Sequence, residues 1–258
     1  MHDFLAKLID DARKRIQDGY YDVKTDCLHT PLSLKRAIKS AERNAIIAEI
    51  KPASPTRGTL RPELDPVKTA TRMVEGGAIA LSVLTEPNNF AGSLENLRKV
   101  REHVSLPLLM KDIIIHETQI RAAKKTGADS ILLIEPIFSN YPISSLARMI
   151  RFAHESGLEV VLEVHDENEL ERALNTEADL LGLNNRNLVT LETNLETTIQ
   201  LMSKTGGKTE KVLISESGFE SAEDIRRVKP ARVDGFLIGS SIMLANDLER
   251  KVREFVLA

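Results

Sequence analysis

Eight short apolar runs, separated by helical patterns from residue 45 onwards, restrict the fold more than any other feature of this chain. They are IIAEIK at 46–51, IALSVL at 79–84, LPLLMK at 106–111 and SILLIE at 130–135. EVVLEV at 159–164, DLLGLN at 179–184, KVLISE at 211–216 and GFLIGS at 235–240 complete the set. Most are continuously apolar, where a strand with one wet face would alternate. Between them lie helix boundaries: Asp65-Pro66 and Ser93 open helices, while Gly76-Gly77, Thr126-Gly127 and Ser156-Gly157 close them. Parallel strands buried on both faces need helices to cover them. Eight such repeats predict an α/β fold of the (β/α)8 TIM-barrel class. A doubly wound open sheet is the competitor, but the first strand lacks the glycine-rich turn of the dinucleotide-binding version.

Residues 1–44 read as an N-terminal helical extension and 45–258 as the barrel, together one domain spanning 1–258. Phe4, Leu5, Leu8, Ile9, Ala12 and Ile16 share one helical face, predicting a helix over 3–18. Thr30 as N-cap and Pro31 at the first position predict a second helix running to about Arg43, and a last one covers about 247–257.

Bulk properties narrow the function classes. A net charge of −3, with lysine and arginine scattered, argues against nucleic acid or a membrane surface as partner. The single cysteine, Cys27, excludes an internal disulfide framework and suits a reducing compartment. It lies outside the repeating part of the chain and reads as an inert thiol. The start, MHDFLAKLIDDARKRI, is amphipathic rather than signal-like, and no apolar run is long enough to span a bilayer; a cytoplasmic location is expected.

Charge is nearly absent inside the runs and collects at their carboxyl ends, where barrels of this class carry their sites. Ile47, Glu49 and Lys51 fall on one face of the first strand, because side chains two apart on a strand point the same way. Pro52, Ser54, Pro55 and Gly58 then make a stiff turn. Further ends supply Thr85-Glu86, Lys111, Glu135, Glu163, Asn184 with Arg186, and Glu216. An acid and a base facing one way at the end of an apolar strand are costly as core and reasonable as a site. The seventh and eighth ends, Ser217-Gly218 and Gly239-Ser240, are small, so backbone N–H groups can approach an anion; phosphate after these strands is a recurring use of the fold. A lysine in such a ring can be a general acid or form a Schiff base. Phe90, Pro55, Ile113, Leu132 and Leu188 are available as apolar walls for a ring.

Two weaker signals are set aside. Gly206-Gly207-Lys208-Thr209 echoes a phosphate-binding loop, but Met202 stands where the first glycine belongs and the segment precedes a strand. His165, two residues after Glu163, lacks a second cluster with metal-ligand spacing and reads as an exposed loop histidine.

Taken in order, these strand ends resemble the indole-3-glycerol phosphate synthase family of tryptophan biosynthesis. The resemblance rests on Glu49-Ile-Lys51-Pro-Ala-Ser54-Pro55, Leu84-Thr85-Glu86 with Phe90-Ala-Gly-Ser93, and Leu109-Met-Lys111-Asp112. It continues through Val161-Leu-Glu163-Val, Gly182-Leu-Asn184-Asn-Arg186-Asn-Leu188, Ser215-Glu216-Ser217-Gly218 and Phe236-Leu237-Ile-Gly239-Ser240. It implies ring closure of 1-(o-carboxyphenylamino)-1-deoxyribulose 5-phosphate to indole-3-glycerol phosphate, with loss of carbon dioxide and water and no metal or cofactor. By resemblance Lys111 is the general acid at the ketone, and Glu163 the base of the dehydration. Lys51 holds the anionic groups, while Glu49, Asn184 and Glu216 orient the others. Arg186 and Ser54 help place the carboxylate. Gly218, Gly239 and Ser240, beside Ser217, hold the phosphate, and Leu237 joins the substrate-binding set. Phe90, Pro55, Ile113, Leu132 and Leu188 hold the anthranilate ring. The implied partners are the phosphorylated small-molecule substrate and, transiently, other enzymes of the pathway.

Two positions depart from the family pattern: Pro52 replaces a basic residue, and Ile113 stands where an aromatic is common. The competing functions are another phosphate-binding barrel enzyme, such as an isomerase of the pathway, and a non-catalytic barrel that binds a phosphorylated metabolite. The first would be expected to lack the two strand-end lysines together with the E-I-K-x-x-S-P turn. The second has no need of Lys51, Lys111 and Glu163 as proton-transfer groups.

Overall fold

Eight parallel strands close into a barrel, each hydrogen-bonded to its neighbours in sequence, and the first pairs with the last. The computed structural model describes residues 4–188, 190–205 and 209–258, so Gly206, Gly207 and Lys208 of the loop-like motif lie outside the described residues. The strands are β1 (Ala45–Ile50), β2 (Ala80–Leu84), β3 (Leu108–Lys111) and β4 (Ser130–Ile134), then β5 (Glu159–Val164), β6 (Leu180–Asn184), β7 (Val212–Glu216) and β8 (Gly235–Ile238). The barrel competes successfully with an open sheet because β1 and β8 find each other in register, Ala45 opposite Gly235 and Ala48 opposite Ile238.

Two apolar layers result from the period-two alternation of strand side chains. Ile46, Ala48 and Ile50 of β1 join the layer shared with the surrounding helices, whereas Ala45 and Ile47 join the barrel interior. Leu109, Leu132, Val161, Leu180, Val212, Ile214 and Leu237 belong to that same interior cluster. It is filled by branched side chains, so the barrel is a packed core and not a pore.

The N-terminal extension belongs to this inner cluster as well. Helix α1 (Phe4–Gln17) contributes Leu5, Leu8, Ile9 and Ala12, and helix α2 (Leu34–Lys39) contributes Leu34 and Ile38. The expected start of α2 is corrected: Ser33 and not Thr30 is the N-cap, its hydroxyl accepting from the Arg36 N–H at 3.0 Å, and the helix ends at Lys39. Other caps stand as read. Asp65 accepts from the Val67 and Lys68 N–H groups to open helix α3 (Pro66–Glu75), and Ser93 accepts from the Asn96 N–H. Among the described residues no helix is long and apolar enough to cross a membrane.

Candidate active site

Six functional positions each follow, by two residues, an inward-facing residue of the same strand. Ile47 is followed by Glu49, Leu109 by Lys111, Val161 by Glu163, Gly182 by Asn184, Ile214 by Glu216 and Leu237 by Gly239. The same alternation that packs the barrel therefore delivers six positions to one rim. Five of them, all but Glu216, line a cavity of about 280 Å³ at the carboxyl ends of the strands.

At its floor, Lys111 and the carboxylates form one charge cluster. The Lys111 Nζ lies 2.5 Å from Glu216 Oε2 and 3.3 Å from Glu163 Oε2. Glu49 Oε1 takes the second ammonium, Lys51, at 2.7 Å, and Ser82 donates to its other oxygen at 3.4 Å. Asn184 donates through Nδ2 to Glu163 Oε1 at 2.9 Å while its Oδ1 accepts from the Arg186 N–H, so its amide orientation is set from both ends. Two interior glycines make room for these carboxylates. A Cβ on Gly182 would lie 2.1 Å from Glu216 Oε1, and one on Gly239 2.5 Å from Glu49 Oε1.

Burial alone would lower the Lys111 pKa, but Glu216, Glu163 and Glu49 outweigh it and raise the pKa above the ordinary lysine value. Glu216 moves the other way from most ion-paired carboxylates. Full burial and the nearby Glu163 and Glu49 charges push it up to about 7, against the pull of Lys111. Its second oxygen, Oε1, is buried without a hydrogen-bond partner, which agrees with that direction. Glu49 is lowered, since Lys51 and Lys111 overcome its desolvation.

The raised Glu216 has a signed consequence for stability. The folded state holds this proton more tightly than the unfolded chain, so the contribution is present at low pH and lost as pH rises from about 4.5 through about 7. Glu216→Gln removes that dependence. The difference in Tm, variant minus parent, is expected to be larger at about pH 8 than at about pH 5, by several degrees. An equal difference at both pH values in thermal melts would remove Glu216 as the group responsible.

The apolar side of the cavity is made by Pro55, Phe90, Ile113, Leu132 and Leu188, all at its wall, with Leu237 deeper in the barrel. Opposite them, Ser217 (φ 68°) and Gly218 (φ 92°) are both left-handed, which re-aims the chain at the end of β7. That turn is braced by Asn185, fully buried, which donates to the Ser217 carbonyl at 3.0 Å and the Ser215 hydroxyl at 3.1 Å. Gly239 and Ser240 begin the short helix Ser240–Met243 beside it. Arg186 donates to the Leu191 carbonyl at 2.9 Å, and burial together with the neighbouring Arg57 lowers its pKa. Ser54 is buried and accepts from the Arg57 N–H at 3.1 Å, and the Arg57 guanidinium contacts Glu220 across the mouth.

All residues given a catalytic or substrate-binding role but one line this cavity. Glu216 is the exception: fully buried, it lies behind Lys111 and acts on the cavity through that ammonium. Glu135, read as part of the rim, is not in it. A helix begins at that residue (Glu135–Asn140) and turns the carboxylate to Arg172, at 2.6 and 2.8 Å. His165 is also corrected: it is half-buried, its Nδ1 2.7 Å from the Asn184 carbonyl oxygen. Sequence reasoning missed Phe4 and Leu8, which bring α1 to the cavity wall, and Arg57; Glu86 was read as a strand end and Asp112 as part of a motif, neither with a role, and both line the cavity. The helical face carrying Leu8 was readable; what it covers was not.

The family model for indole-3-glycerol phosphate synthase matches residues 5–255. The chain belongs to the indole-3-glycerol phosphate synthase family. It is 40% identical over 246 residues to the indole-3-glycerol phosphate synthase of Acetivibrio thermocellus, covering 95% of this chain and 93% of that one. The synthase of Neisseria meningitidis serogroup B is 44% identical over 208 residues (81% and 78% of the two chains), and that of Aquifex aeolicus 43% over 211 (82% and 80%). Among solved structures, thiamine phosphate pyrophosphorylase from Pyrococcus furiosus superposes with a TM-score of 0.63 at 16% identity. That match covers 86% of this chain and 96% of the other, a likeness of fold alone.

Proposed function

We propose a residue-by-residue division of labour for the family's reaction at this rim. The chain is a carbon–carbon lyase of tryptophan biosynthesis that acts on a small phosphorylated substrate, closing 1-(o-carboxyphenylamino)-1-deoxyribulose 5-phosphate to indole-3-glycerol phosphate. The observation that carries the assignment is the Lys111 ammonium held between Glu163 and Glu216 at the foot of a cavity with one apolar wall.

Ring closure forms a bond between the carboxylate-bearing aromatic carbon and the ketone carbon, and the ketone oxygen must take up a proton. Lys111 is the donor. Its raised pKa keeps it charged at neutral pH, which supports an acid over a Schiff-base amine, since the latter needs the neutral form. Carbon dioxide then leaves, returning its bonding electrons to the ring. In the last step the new hydroxyl takes a proton from the Lys51 ammonium and departs as water, while a base removes a proton from the adjacent carbon. Glu163, hydrogen-bonded by Asn184 and beside Lys111, is positioned for that base. Glu49 holds Lys51 in the rim, and Glu216 holds Lys111 from behind. Lys51, Arg186 and Ser54 receive the carboxylate and other anionic groups. The turn at Ser217-Gly218 and the helix start at Gly239-Ser240 receive the phosphate. Phe90, Pro55, Ile113, Leu132, Leu188 and Leu237 enclose the ring.

The direct test mixes the purified protein with the carboxyphenylamino-deoxyribulose phosphate in EDTA and follows indole fluorescence. A rise is expected. Binding by calorimetry without a rise would favour a phosphate-metabolite binder, and neither binding nor a rise would point to another phosphate-handling barrel.

A further inference from the structure

We propose that Arg15, on the N-terminal helix, is a positioning residue for the ring-binding half of the site, acting through the buried carboxylates of Glu86 and Asp112. The inference rests on the assignment of Phe90 and Ile113 to the substrate's ring.

Arg15 is a cation on the apolar face of α1, and its side chain is 6% exposed. One guanidinium nitrogen lies 2.6 Å from Glu86 Oε1, another 3.5 Å from Asp112 Oδ1, and Nε donates to the Tyr21 hydroxyl at 3.2 Å. Both carboxylates have fully buried side chains, and each already organises a loop of the site. Glu86 accepts from the N–H groups of Asn88, Asn89 and Phe90 at 3.1, 2.7 and 3.1 Å, which builds the short helix Pro87–Phe90 and aims Phe90. Asp112, the residue after Lys111, accepts from the Ile113 N–H at 2.7 Å, the Thr85 hydroxyl at 2.6 Å and the Tyr21 hydroxyl at 3.1 Å. One guanidinium thus ties the loop after β2 to the loop after β3.

The tie is needed because the two carboxylates repel. Full burial raises the Asp112 pKa and the Glu86 charge adds to that rise, while Arg15 is the largest influence opposing it. Without the cation, one or both acids must take a proton or turn away, and either change weakens the acceptors that hold Phe90 and Ile113. The loop cannot absorb the change at its far end. The Gly92 backbone packs so closely that a Cβ there would lie 2.3 Å from the Leu84 carbonyl oxygen, and the Gly92 N–H donates to the Glu86 carbonyl at 2.9 Å. The phosphate-side turns belong to other strands, β7 and β8, so the loss should be one-sided.

A merely structural Arg15 would lower affinity at both ends or at neither. The test titrates the parent, Arg15→Met and Arg15→Lys with N-methylanthranilate as ring probe and glycerol 3-phosphate as phosphate probe, by NMR, alongside kcat and KM. Arg15→Met is expected to lose on the order of tenfold or more in ring-probe affinity and in kcat/KM, with phosphate-probe affinity unchanged. Arg15→Lys, which keeps the charge but not the fork, should recover part of the loss. It also carries the same comparison if Arg15→Met does not fold by circular dichroism. Equal losses for both probes, or no loss for the ring probe, would overturn the positioning role. Ring-probe binding to the parent that Phe90→Ala leaves untouched would instead overturn the ring assignment beneath it.

Discussion

Lys111→Ala should lose turnover by a factor of about 10² to 10⁴, the usual weight of a positioned general acid, while ligand binding stays measurable. The ketone oxygen gains a full proton as the ring closes, and Lys111 is the cation that the floor of the cavity presents between two carboxylates. Its replacement removes the donor and also the counter-charge of Glu216 and Glu163. Glu216, already raised to about 7, would then rise further and stay neutral. That neutralisation limits the stability loss, so the variant should fold. Single-turnover kinetics and calorimetry with the product check both halves. Turnover within tenfold of the parent would remove Lys111 from the acid role.

Glu163→Gln should be as severe, for a different reason. The substitution keeps shape and removes the base, and it also creates a donor conflict. Asn184 presents its NH2 to one oxygen of Glu163, and Lys111 presents NH3⁺ to the other. Asn184 cannot reverse without losing the Arg186 N–H that its Oδ1 accepts. A glutamine has one carbonyl and one NH2, so one of the two neighbours must meet a donor with a donor. A fall of about 10² or more in kcat is expected, with the dehydration step becoming rate-limiting and the decarboxylated, still hydroxylated species accumulating. Rapid-quench analysis of products would detect it. Normal flux through the last step would reassign the base. Removing the Glu163 charge should also let Glu216 ionise at lower pH, a shift readable in the carboxylate infrared bands.

The same alternation explains why so much of the rim could be read from the chain. Ile47, Glu49 and Lys51 were readable as one face because a strand has period two, and the Lys51–Glu49 pair at 2.7 Å is the direct result. Lys111, Glu163, Asn184 and Glu216 followed from the same rule applied to β3, β5, β6 and β7. Glu135 failed because the rule ends where the strand ends. The chain enters a helix at that residue, and the side chain follows helical geometry to Arg172. Asn185 carried no expectation for the complementary reason: next to Asn184, it falls on the outer face, where Thr198 and Ser215 complete its hydrogen bonds.

What the sequence by itself determined is local and periodic: eight buried strands, most helix ends, and the polar residues that stand two positions beyond an inward apolar one. Those features depend on backbone geometry within a few residues. Only the tertiary structure decided which distant groups meet. Arg15 reaches Glu86 and Asp112 across more than seventy positions of chain, Lys111 is raised and not lowered, and Glu216 sits behind the cavity and not in it. Charge interactions and burial depend on distances through space, which barrel closure sets and no short window of sequence contains.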